Sequence, residues 1–257
     1  INDAAGNRAI LTLAAPGKNG SLGANADLVI NTTPYRPGAD LKNKDLSGKD
    51  LTDKDLTGAN LSGAKLFNTN LSRTNLSSAD LSNADLTSAI LRGVVLSNAN
   101  LTGANLDDAN LEYAKVDKAN LTGANLEAVN LTGAILSNAN LTDAKLEGTN
   151  LKDADLENAN LMGTTLKGVY SGGIKGTNIS LPEKYLLLNG YLIGPGANLT
   201  DMDLTGVDLT NKDLTGANLY AANLSNANLT NANLTDATLH AVKSGGITGT
   251  NISLPEK

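Results

Sequence analysis

Side chains able to carry out chemistry are few in this sequence. The one histidine is His240, and there is no cysteine, so a thiolate nucleophile and thiolate metal ligands are excluded. No Gly-x-Ser-x-Gly elbow and no phosphate-binding glycine loop opening a helix is present. Carboxylates are the chemistry that remains. Asp107, Glu127 and Glu147 recur at a spacing of 20 residues, with Asp108 beside the first. Paired carboxylates serve acid–base catalysis when a cleft desolvates one of them and separates their pKa values. A surface without such a cleft gives them only charge, so a non-enzyme with no cofactor and no metal is the expectation.

The composition narrows the partners. The 257 residues carry 20 Lys and Arg against 26 Asp and Glu, a net charge of −6, with the two signs mixed along the chain. Direct nucleic-acid binding through a basic patch is not expected. No apolar run approaches the roughly 20 residues of a membrane span. With 3% aromatic residues and no tryptophan, an interior of large rings cannot be built, and leucine and alanine must supply it.

The elements that position these residues follow from one period. From Leu41 to Leu166 every fifth residue is Leu, except Val116, and the register returns from Leu199 to Leu239. The unit is Ala-Asn/Asp-Leu-Ser/Thr-Gly/polar, as in Ala99-Asn100-Leu101-Thr102-Gly103. Five matches neither the 3.6 of a helix nor the 2 of a strand, so the chain must turn a corner once per unit to keep each Leu on one side. That is a solenoid, in which Leu and the Ala two residues before it point inward. Lys44, Lys49, Lys54 and Lys212 take the small inward position near the start of each block, and must escape through a coil end or pair with aspartate.

The organisation read from the chain is a cap over 1–36, a first repeat block over 37–168, a junction over 169–196, a second block over 197–241 and the start of a second junction over 242–257. Pro37-Gly38-Ala39-Asp40-Leu41 matches Pro195-Gly196-Ala197-Asn198-Leu199 at the two block starts. Ser171 to Lys184 nearly repeats as Ser244 to Lys257, so a longer repeat lies over the short one and is expected to belong to a longer protein or fibre-like assembly. Because the chain starts at Ile1, processing before that residue is expected. In Tyr185-Leu186-Leu187-Leu188-Asn189-Gly190-Tyr191-Leu192-Ile193, Asn-Gly between apolar runs predicts an inserted β-hairpin. Asn-Leu-Ser/Thr recurs at Asn60, Asn70, Asn100, Asn120, Asn140, Asn198 and Asn228, each a glycosylation acceptor in a eukaryotic secretory route, and glycans so dense could not pack. A bacterial origin fits better, with the cytoplasm and export both open.

The repeated Ala-Asn/Asp-Leu-x-x resembles the pentapeptide-repeat proteins, and the junction motifs are similar to those of multi-block, cyanobacterial-type members. The resemblance implies an all-β fold, a right-handed quadrilateral parallel β-helix with four units per coil, carrying the hairpin and the N-terminal cap. Coils about 4.8 Å apart would make a rod of roughly 40 Å. Residues 20 apart would then lie above one another, so Asp107, Glu127 and Glu147 form an acidic column, with Arg92, Lys145 and Lys152 near enough to offset it. Phe67, Ile90, Val95 and Ile135 replace polar residues at outward positions and offer a small apolar patch for a partner. Ser62, Ser82, Thr102, Thr122 and Thr142 line up beside Asn100, Asn120, Asn140 and Asn160, an array that would suit ice or a crystalline polysaccharide. The first expectation is a structural or protein-interaction scaffold that binds a protein partner or itself through the solenoid ends or the hairpin, with Tyr185 and Tyr191 as contacts. The alternative, carried by the resemblance, is a DNA-mimicking binder of a type II topoisomerase such as gyrase.

Overall fold

A computed structural model of the chain describes residues 34–256. The expected N-terminal cap lies outside the described residues apart from Pro34, Tyr35 and Arg36. Parallel bridges join Asp40 to Asn60, Asn60 to Asp80 and Asp80 to Asn100, and likewise around the other registers. The offset is one coil of four units, so each unit supplies one side and one corner.

A single unit shows how the sequence dictates this. Leu101 N donates to Asn120 O at 2.7 Å, Asn120 N to Ala99 O at 2.9 Å and Gly103 N to Thr122 O at 3.0 Å, so neighbouring coils are joined at the side and at the corner. Within the unit, Ala104 N donates to Leu101 O at 3.0 Å and closes a turn. The third residue of that turn has positive φ, 64° at Gly103, which explains the run of Gly, Asn and Asp at this position. Leu106 and Ala104 are fully buried, as are the Leu and Ala at the equivalent positions from Ala59 to Leu161. Where Thr69, Thr74 and Thr149 replace the inward Ala, each hydroxyl donates to a carbonyl of the preceding coil, of Leu46, Leu51 and Leu126. A buried polar atom is therefore not left unpaired. Lys44, Lys49 and Lys54 are exposed in the first coil, and Lys212 is half-buried.

The ladder runs past the last leucine of the first block. Bridges join Asn150 to Tyr170, Asp155 to Lys175 and Asn160 to Ser180, with Val169 and Ile174 buried. In this stretch bulk moves two residues earlier in the unit, from the Leu position, now Ser171 and Gly176, to the Ala position, now Ile174 and Ile179. The second block extends in the same way through Lys243, Thr248 and Ser253.

Between the blocks lies the hairpin, β1 (Leu186–Leu188) and β2 (Tyr191–Ile193), antiparallel with Leu186 opposite Ile193, Leu187 opposite Leu192 and Leu188 opposite Tyr191. Each cross-strand pair points to one face. Leu187, Leu192 and Tyr185 pack on the core of the first block, whereas Leu186, Leu188, Tyr191 and Ile193 pack on that of the second. The hairpin is thus a two-faced layer separating two hydrophobic cores. Among the described residues only the side of Tyr170 carries a bridge across the junction, to Asn198.

Candidate functional site

The acidic column is a real stack. Ser88 N donates to Asp107 O at 2.8 Å, Asp108 N to Glu127 O at 3.1 Å and Ala128 N to Glu147 O at 2.9 Å, so the three carboxylates lie on successive coils of one edge. Asp108 sits exposed at the adjoining corner. The column ends in a cation, Lys167, because Gly148 N donates to Lys167 O at 3.0 Å. Arg92 does not reach the column. Its guanidinium lies 3.4 Å from Glu112 and 5.5 Å from the centre of the Tyr113 ring.

The four outward apolar residues do not form one patch. Phe67 heads the acidic edge itself, since Gly48 N donates to Phe67 O and Asn68 N to Thr87 O, one coil below Asp107. Ile90 bridges Asn70 and Asn110 on the next side. Val95 and Ile135 share a third side but are separated by Lys115, which bridges both. The reason is geometric: a step of five along the chain moves a residue to the next side, and only a step of 20 keeps it on the same one. The hairpin, placed at the junction, does not cover them.

The hydroxyl array is consumed inside the fold. Thr122 Oγ1 donates to Asn120 Oδ1 at 2.6 Å, and the same hydroxyl accepts from Asn140 Nδ2 at 3.0 Å. Asn120 Nδ2 donates in turn to Thr102 Oγ1 at 3.0 Å, and Asn160 Nδ2 to Thr142 Oγ1 at 2.9 Å. Each hydroxyl hydrogen already has an acceptor within its own unit, which removes the regular donor array that an ice or polysaccharide surface would use.

Asp45, Asp50, Asp55, Asp203 and Asp208 are held below the usual carboxylate range, first by the hydroxyl and then by the amide of the Ser or Thr two residues on. These are structural acceptors at the start of each block. Asp213 is lowered first by Lys184, whose Nζ lies 2.8 Å from its Oδ2.

The junction breaks the even stacking of the coils. An open cavity of about 440 Å³ lies there, lined by Glu147, Thr164, Lys167, Tyr185, Pro195 and Thr215 among others. The expectation of a rod without clefts fails at this point, because the hairpin pushes one side of the second block away from the first. Tyr185 donates its hydroxyl to Pro195 O, and burial, followed by the charge of Asp213, pushes its phenol pKa up. Tyr191 lies against Gly172, where an added Cβ would come within 3.1 Å of the ring. Both tyrosines are half-buried and hold the junction together. His240 stacks on Tyr220 with ring centres 5.6 Å apart. Among the described residues no group of three His, Cys, Asp or Glu is placed to hold a metal ion, and no helix is long and apolar enough to cross a membrane.

A family profile described as Pentapeptide repeats matches the chain in eight copies, over residues 38–73, 55–93, 69–108, 89–127, 104–143, 139–170, 197–236 and 213–243. Among solved structures, HetL, a pentapeptide repeat protein involved in heterocyst differentiation regulation from the cyanobacterium Nostoc sp. strain PCC 7120, is 30% identical, with 82% of this chain and 85% of that one covered and a TM-score of 0.46. Rfr23, a pentapeptide repeat protein from the cyanobacterium Cyanothece 51142, is 30% identical over 49% of this chain and 90% of its own, with a TM-score of 0.25. QnrB1, a plasmid-mediated fluoroquinolone resistance protein, is 21% identical over 54% of this chain and 84% of its own, with a TM-score of 0.28. No curated protein sequence matches.

Proposed function

This chain belongs to the pentapeptide repeat family, with its right-handed quadrilateral β-helix, and we propose that it serves as a non-enzymatic scaffold that stacks through its ends and presents its outer edges to protein partners. The observation that carries this reading is the junction. Two repeat blocks with separate cores are joined face to face through an apolar hairpin that packs on both. Blocks that combine by their ends are parts for building length, and the polar groups of the sides are spent on the fold itself.

Light scattering over a range of concentrations, with electron microscopy of the same samples, tests the reading. Rods longer than one chain and growing with concentration are expected. A strictly monomeric species at high concentration would refute assembly.

The geometry does not favour a DNA-mimicking binder of gyrase. Such a surface needs one sign of charge over a long track. Here three carboxylates span three coils, end at Lys167 and stand beside Lys145 and Lys152. A gyrase supercoiling assay at micromolar protein is expected to show no effect.

A further inference from the structure

The duplicated segments 171–184 and 244–257 share a sequence but not their surroundings. In the first copy the coil leading out of the block is covered. Leu166 and Val169 are 2% exposed, Ile174 is 5% exposed and Leu181 is half-buried, all in the core on which Leu187 and Leu192 of the hairpin pack. The polar groups of that coil are also taken. Ile174 N donates to Gly190 O in the hairpin turn at 3.1 Å, Leu192 N donates to Ser171 Oγ at 3.0 Å and Gly168 N to Gly196 O at 2.8 Å.

The second copy presents the same residues without the cover. Leu239, Val242, Ile247 and Ile252, the equivalents of Leu166, Val169, Ile174 and Ile179, are half-buried, and Leu254, the equivalent of Leu181, is 62% exposed. Among the described residues Ile247 N and Ser244 Oγ have no hydrogen-bond partner. This end is therefore an apolar surface with a backbone donor and a hydroxyl acceptor set out in a pattern whose complement exists elsewhere in the same molecule.

We infer that the coil end formed by residues 239–254 is a docking surface for a hairpin-headed repeat block of the 185–241 kind. The inference rests on the scaffold reading and names what its end accepts. One face of such a hairpin, carrying the equivalents of Tyr185, Leu187 and Leu192, covers Val242, Ile247 and Leu254. Its Asn-Gly turn brings a carbonyl to Ile247 N, and its second strand an amide to Ser244 Oγ. Glycine is required at that turn, because a Cβ on Gly190 would stand 2.9 Å from Gly173 N in the first copy. The folded hairpin of a second copy does not serve, since both its faces are already occupied by its own blocks.

Hydrogen exchange read by mass spectrometry tests this on the full chain and on the chain extended after Lys257 by a second copy of residues 185–241. In the extended chain the amides of 238–253 are expected to exchange more than about tenfold more slowly, the factor that 1.4 kcal/mol of local stability produces, while those of 60–140 stay unchanged. A second extended chain, with Leu187→Asp and Leu192→Asp made in the added copy alone, is expected to lose that gain. Unchanged exchange at 238–253 in the first extended chain overturns the inference, and so does equal slowing in both. Failure of the unextended chain to assemble refutes end-to-end stacking but leaves this exchange result standing, so the two readings fail separately.

Discussion

Leu192→Ala separates a junction that holds two blocks together from a hairpin that merely decorates the rod. Leu192 is 2% exposed and packs on the core of the first block, while Ile193 beside it is fully buried against the second. Alanine removes three carbons, worth about 0.8 kcal/mol each in lost burial, or about 2.4 kcal/mol. The space left adds to this, because Leu181, Tyr185 and Leu187 are fixed by the hairpin register and the coil end and cannot close it, so a cost of roughly 2–5 kcal/mol is expected. In a stack of repeats such a loss falls on the altered layer and its neighbours. Leu106→Ala, the same truncation in the middle of the first block, is the comparison. Hydrogen exchange in mild urea should show Leu192→Ala loosening 165–200 and leaving 60–140 protected, and Leu106→Ala loosening the coils around 86 and 126. Identical exchange patterns for the two variants, or a loss below about 1 kcal/mol for Leu192→Ala, would refute the argument that the junction is a separate layer.

Two further outcomes follow from the starting coils and the corners. Asp45, Asp50, Asp55, Asp203 and Asp208 have folded pKa values depressed below the reference of 3.8, so their contribution to stability is present above that value and is lost as pH falls through the folded values. Pepsin below about pH 4 should therefore cut first within 40–57 and 198–215, and Asp50→Asn, which keeps an acceptor for Thr52, should spare its own coil; cleavage spread evenly along the rod would contradict this. Ala128 holds a left-handed φ of 54°, which costs an L-residue about 1–2 kcal/mol. Even after the greater freedom of glycine in the unfolded chain, Ala128→Gly should raise the melting temperature, and a fall would show that the corner is not strained.

Much of this fold is legible in the sequence because the physical constraint repeats with it. Inward Leu and Ala, a corner in each unit and the Asn-Gly hairpin all follow from residue types at fixed spacing. The number of sides does not, since a period of five fits any polygon and the four came from the family resemblance. The ladder beyond Leu166 is hidden because bulk is exchanged within the unit: Ile174 with Gly176 fills the interior much as Ala with Leu does, a volume-conserving change that erases the leucine signal. The candidate surfaces were less legible. Phe67, Ile90 and Val95 look neighbourly in the sequence but are dealt to different sides, and Val95 and Ile135, which share one, are parted by Lys115. Lys167 terminates the acidic column but draws no notice until Glu147 is known to lie beneath it.

The choice between Asn and Asp before each Leu is the least obvious signal, and it has a mechanical cause. An interior Asn must accept and donate at once: Asn120 Oδ1 accepts from Thr122, while its Nδ2 reaches back to Thr102 in the preceding coil. Among the described residues a starting coil has no such neighbour below it, so only the acceptor is needed and aspartate fits. Asp50 and Asp55 accept from Thr52 and Thr57 in the first block, and Asp203 from Thr205 in the second. Asp80 shows that an interior carboxylate is tolerated when the coil above supplies the donor, here Asn100. The exception among the starting positions of the second block is Asn198, on the one side where a bridge to Tyr170 crosses the junction. Aspartate thus predominates where a stack begins, at Asp40, Asp45, Asp50 and Asp55 and again at Asp203, Asp208 and Asp213 after the hairpin, while Asp80, Asp85 and Asp155 are its interior occurrences. The rod is two stacks joined through an apolar layer, and among the described residues its chemistry stays unspent at the coil end formed by 239–254.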